Sequence, residues 1–163
     1  MSTSAEYQQT RGSLAELFSG PESAGLEAGF KELDALVAQL EARRAELSET
    51  ISPAAFQSLL ALMERIQTQA MRLAGFSGLR FTEDTQDQVS QALSARVDQT
   101  LAETANRTLF FELWWKNLPD AAAAPLLAAA GDLTYWLEAL RAFKPHTLSE
   151  AEEKIVNTKN VTG

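Results

Sequence analysis

Leu47-Ser48-Glu49-Thr50-Ile51-Ser52-Pro53-Ala54-Ala55-Phe56 is the stretch from which the fold follows. Ser52 has the side chain of a helix N-cap, Pro53 suits a first helical position, and Ile51 is placed to staple onto Phe56. Upstream, Leu26, Phe30, Leu33, Val37, Leu40 and Leu47 keep a four-three spacing broken only at Arg44. Downstream, Phe56, Leu59, Leu60, Met63, Ile66, Ala70 and Leu73 repeat the helical period. Two amphipathic helices joined by so short a turn form an antiparallel hairpin, and each stripe is helix-on-helix packing material.

The rest of the chain reads the same way. Ala, Leu, Glu and Gln dominate and few runs alternate apolar with polar, so strand signals are missing. The reading is all-α: antiparallel helical hairpins forming an elongated multi-helix bundle. It places helices at about 22–48, 53–74, 83–117, 125–143 and 149–159, after a polar tail of about 1–12, in one domain spanning 1–163. Ser13 with Glu16, and Ser149 with Glu152, have capping-box spacing. Gly75 and Gly78 mark an end or bend, Thr82 and Asp84 are cap candidates, and Val89, Leu93, Val97 and Leu101 line one face of the third helix. Pro125 is placed as a first-turn proline of the fourth. On the first helix, Glu27 is spaced to pair with Lys31, and Glu41 with Arg44.

Composition narrows the function. The chain has 163 residues, 45% of them hydrophobic, and a net charge of −8. That charge disfavours nucleic acid and anionic membrane surfaces, both of which need clustered Lys and Arg. No apolar run approaches the roughly 20 residues that cross a bilayer, and the N-terminus lacks a basic and an apolar signal region. The expectation is a cytoplasmic protein. Asn106 and Asn160 sit in glycosylation triplets that carry no weight without a secretory signal.

Chemistry-bearing groups are sparse. His146 is the only histidine and cysteine is absent, so a zinc helix with two histidines four apart cannot be built. His146 reads as a loop residue between a proline and a helix cap. Glu150, Glu152 and Glu153, like Asp84 and Asp87, read as complements to positive helix ends. No phosphate loop or dinucleotide fingerprint is present. No residue is therefore assigned as catalytic, cofactor-binding or metal-ligating.

The local oddity is Leu109-Phe110-Phe111-Glu112-Leu113-Trp114-Trp115-Lys116-Asn117-Leu118. Its apolar members sweep roughly two-thirds of a helix circumference, leaving Glu112 and Lys116 a narrow polar strip. Most of that arc reads as core between the third and fourth helices, with Tyr135 and Trp136 as neighbours. Phe110, Phe111, Trp114 and Trp115 are also the candidate contact with something outside the chain.

In order along the chain, Leu14-Ala-Glu-Leu-Phe18 with Ser19-Gly-Pro-Glu22, Asp84-Thr-Gln-Asp87, Leu109-Phe-Phe-Glu-Leu-Trp-Trp-Lys116, Tyr135-Trp-Leu-Glu-Ala-Leu-Arg141, Pro145-His-Thr-Leu-Ser-Glu-Ala-Glu-Glu-Lys154 and Lys159-Asn-Val-Thr-Gly163 resemble the N-terminal region of oligoendopeptidase F enzymes. These are thimet-oligopeptidase-like zinc metallopeptidases of the pepF subgroup. The resemblance implies a truncated front lobe that forms a wall of the substrate channel in an intact peptidase acting on short peptides. It implies zinc for the whole enzyme, held by an H-E-x-x-H helix and a later glutamate, none of which has a counterpart here. The partner it implies is the missing catalytic lobe, so this chain alone is expected not to be an enzyme. The alternative is a self-contained helical-bundle interaction module, its Leu26–Leu47 stripe pairing with a partner or a second copy.

Overall fold

The computed structural model of the chain describes residues 14, 17–142, 151, 152 and 155. Among them are five α-helices and no strand: α1 (Ala24–Ala42), α2 (Pro53–Glu83), α3 (Gln88–Asn117), α4 (Asp120–Ala129) and α5 (Thr134–Ala142). The protein is an all-α multi-helix bundle.

Side-chain contacts set the directions. Gln69, late in α2, donates to the carbonyl of Gly29, early in α1, at 2.9 Å. Arg43, just past α1, donates to Ser58 Oγ near the start of α2 at 2.9 Å. The two helices are antiparallel, as the turn requires. Phe56 at the start of α2 lies against Phe111 and Trp115 at the end of α3, so α3 is antiparallel to α2 as well. Arg96 reaches Glu27, and Arg107 reaches Asp34 at 2.6 Å, so α3 runs parallel to α1. α4 and α5 fold back over the α2-start and α3-end of this three-helix unit.

The α1 stripe is buried as spaced: Leu26, Leu33, Val37 and Leu40 have no exposed surface, and Leu36 and Phe30 join them. Each such side chain contributes about 1.5–3 kcal/mol through area removed from water. Ser52 caps α2, its Oγ accepting from Ala55 N at 3.2 Å, with Pro53 at the first position. Ser23 does the same for α1, from Leu26 N at 3.2 Å.

Several boundaries differ from the sequence reading. α1 stops at Ala42 and gives way to a 3-10 turn at Arg44–Glu46, where Arg43 and Glu46 pair at 2.7 Å. α2 does not end at Gly75 or Gly78 but continues to Glu83. Both glycines are exposed and hold helical backbone in open space, so neither forces a bend. Thr82 therefore lies inside α2, and Asp84 is its C-cap. Asp87 is the N-cap of α3. The α3 stripe is also shifted: Ser90, Leu93 and Val97 are buried, whereas Val89 is exposed.

The expected fourth helix is two helices. α4 starts at Asp120, which puts Pro125 inside it, and Ala121 and Pro125 are both exposed, so the carbonyl left without a donor faces water. Gly131, with φ +59°, turns the chain between α4 and α5. Of the helix expected at 149–159, Ala151, Glu152 and Ile155 are described; all three are helical and exposed. His146, Ser149, the polar tail and Ser13 with Glu16 lie outside the described residues.

Gly29 is a glycine of a different kind. A Cβ there would sit 3.0 Å from Gln69 Nε2 and 3.0 Å from the Phe18 ring. We expect Gly75→Ala and Gly78→Ala each to stabilise the chain by about 0.5–1 kcal/mol. Gly29→Ala should destabilise it by about 1–3 kcal/mol. Denaturant unfolding midpoints of the three variants give the comparison.

Candidate functional site

The aromatic segment of α3 packs where four helices converge. Phe56 of α2 stacks on Phe111 at 6.3 Å and 9°, and on Trp115 at 5.3 Å and 22°. Phe56, Phe111 and Trp115 are all fully buried, and Phe110 is 6% exposed with the Arg44 guanidinium 4.8 Å above its ring. Trp114 keeps some exposed surface, packed on Phe56 at 6.1 Å and Phe111 at 5.9 Å. Its indole N–H is buried with no partner among the described residues. Of the four residues expected to meet an outside partner, the structure thus puts Phe111 and Trp115 wholly inside this chain's own core. Trp114 offers surface; Phe110 offers little.

Trp115 also fixes α5. Its indole N–H donates to the Leu137 carbonyl at 2.9 Å. In return Arg141 of α5 donates to the carbonyls of Trp115 at 2.7 Å and Leu118 at 2.8 Å, and pairs with Asp120. A guanidinium thereby satisfies carbonyls at the end of α3 that have no helical donor, in the place where the helix dipole favours a cation. Tyr135, by contrast, is 81% exposed.

The ion pairs of Glu27 and Glu41 cross between helices rather than along them. Glu27 bonds Arg96, whose guanidinium also sits 3.9 Å over the Phe30 ring. Glu41 accepts from Arg107 at 2.6 and 3.0 Å. Within-helix partners Lys31 and Arg44 were expected for these two glutamates. The α3 arginines take them because α3 lies parallel alongside α1. Hydrogen bonding to arginine holds both carboxyls below the usual carboxylate range, and the same bonds push Arg96 and Arg107 up. Asp87 is held down by the Ser90 hydroxyl at 2.6 Å, aided by two backbone N–H donors. These carboxylates are structural. Glu112 and Lys116 do form the spaced pair, at 3.8 Å.

A concavity lies elsewhere. A groove of about 980 Å³ runs between α2 and α3, with Leu133 and Trp136 also in its lining. Met63, Gln67 and Met71 of α2 face Leu101, Ala105 and Thr108 of α3 across it. None of the four aromatic candidates lines it. Of its α3 wall, Leu101 belongs to the expected stripe, while Ala105, Thr108 and Glu112 are small, polar or charged residues that continue it at helical spacing. That spacing was the available signal.

The groove holds no ligating set, and among the described residues no three His, Cys, Asp or Glu side chains come together to hold a metal. The zinc implied by the resemblance does not fit these residues. No described helix is long and apolar enough to cross a membrane.

An all-α bundle of this kind defines a class and no chemistry. The last third of the chain is more specific: the family model described as Oligopeptidase F matches residues 114–163, so this part of the chain is similar to the N-terminal region of that family. The matched span begins at Trp114, takes in α4 and α5, and includes the Tyr135–Arg141 and Pro145–Lys154 segments on which the resemblance rests. No significant match is found among curated proteins or solved structures.

The depressed carboxylates give stability a pH sign. A carboxyl lower in the folded than in the unfolded state contributes above its unfolded value, and that contribution is lost as pH falls through the folded one. We expect the urea midpoint to be flat above about pH 5.5 and to fall below about pH 4.5. Arg107→Gln should make that decline shallower by freeing Glu41; an unchanged slope would mean that the pair carries no linkage.

Proposed function

We propose that this chain is a non-catalytic N-terminal helical lobe of an oligoendopeptidase F-like zinc metalloendopeptidase, one that hydrolyses short peptides. In the intact enzyme it forms a wall of the substrate channel and limits access to it. The observation carrying this reading is the Oligopeptidase F match over 114–163. It lands on the part of the bundle whose packing is most specific, where Trp115 and Arg141 lock α5 to the end of α3. The sequence has no H-E-x-x-H and one histidine, so zinc, water activation and peptide cleavage belong to the partner lobe. Phe110, Phe111, Trp114 and Trp115 form the node nearest that lobe in this reading. Trp114 supplies the contact surface and the other three back it. A net charge of −8 weighs against nucleic-acid or anionic-membrane binding.

Two measurements test this. The native product in its source cell should have a mass well above that of the 163 residues, and the continuing reading frame should encode H-E-x-x-H. A native product ending at Gly163, with no zinc-peptidase partner gene nearby, would overturn the proposal. Purified 163-residue chain with added zinc should not cleave a quenched fluorescent peptide. Cleavage that survives chelation and His146→Ala would show a catalytic centre in these residues.

A further inference from the structure

We propose that the groove between α2 and α3 seats one amphipathic helix of a partner polypeptide, apolar on its inserted face and basic along its flank. The inference goes beyond the lobe reading and rests on the groove alone.

Shape points to a helix. The groove wall from Met63 to Ala74 is roughly 16 Å long at the α-helical rise, and the wall from Leu101 to Lys116 roughly 22 Å. A helix of three to four turns fits between them. Ala70, Ala74 and Ala105 keep the floor low enough for a third axis to approach within bundle distance. Met63 and Met71 provide adaptable apolar walls. Backbone chemistry points the same way. The groove is walled by two helices whose amides are already paired internally. An extended peptide buried there would leave its own N–H and C=O groups without partners, whereas a helix arrives with them satisfied.

Charge selects the kind of helix. The ionisable groups lining the groove are Glu64, Glu112 and Lys116. Lys116 sits 3.8 Å from Glu112, while Glu64 is exposed and has no ion-pair partner among the described residues. The lining is net negative on a chain whose net charge is −8. A second copy would bring like charge to it; a helix with Lys or Arg beside its apolar stripe brings the complement.

The test uses the full 163-residue chain and two synthetic helical peptides of roughly 18 residues. Both carry leucine on one face, with lysine on the other in the first and glutamate in the second. Titration calorimetry should show one Leu/Lys peptide bound per chain, and the Leu/Glu peptide at least about tenfold weaker. Ala105→Trp, which fills the groove from an exposed position, should weaken Leu/Lys binding by about tenfold or more. Ala38→Trp, exposed on α1, should leave it unchanged, with circular dichroism confirming that both variants are folded. Equal binding of the two peptides would overturn the proposal, as would binding of neither, or Leu/Lys binding indifferent to Ala105→Trp. Sedimentation showing a dimer that Ala105→Trp dissolves would overturn it in favour of a second copy.

Discussion

The bundle depends on Phe56. This one ring, fully buried at the second turn of α2, stacks on both Phe111 and Trp115 of α3. It sits one helix-start after the Ser52-Pro53 cap, so the residues that begin α2 also position the ring that orients α3. Trp115, held there, presents its indole N–H to α5, and Arg141 of α5 returns to the carbonyls at the end of α3. One aromatic contact thus connects a turn, a hairpin and two short helices.

At the other end of the hairpin a small residue decides the packing. Gly29 lets Gln69 and Phe18 approach α1 closely, and the Gln69 amide uses that proximity to bond the Gly29 carbonyl. Phe18 lies edge-on to Phe76 at 5.3 Å, with Arg72 over its ring at 4.5 Å. The inter-helix arginine pairs lie at the surface, where solvent screening keeps each contribution small. Their effect is on register: they fix how far α3 slides along α1 while the apolar seam supplies the stability.

The aromatic segment and the groove divide two roles that a sequence reading assigns to one place. An arc too wide for a surface helix signals neighbours on several sides, and most of those neighbours are α2 and α5 of this same chain. Among the described residues the groove lies apart from that aromatic node, its lining a mixture of apolar, polar and charged side chains.

The α1 stripe, the α1–α2 hairpin and its capped turn were legible in the sequence because they are local: period 3.6 and cap chemistry act within a few residues. The oligoendopeptidase F resemblance was legible as ordered short segments, the last of which fall in the matched span. Tertiary structure decided which glycines matter. Gly75 and Gly78 sit in open space and leave α2 unbroken, whereas Gly29 is crowded by groups forty residues and eleven residues away in the chain. It also decided that Glu27 and Glu41 pair across helices, and that the fourth helix splits at Gly131. It alone formed the groove. Periodicity describes one helix at a time, and these outcomes depend on which two helix faces meet and at what offset.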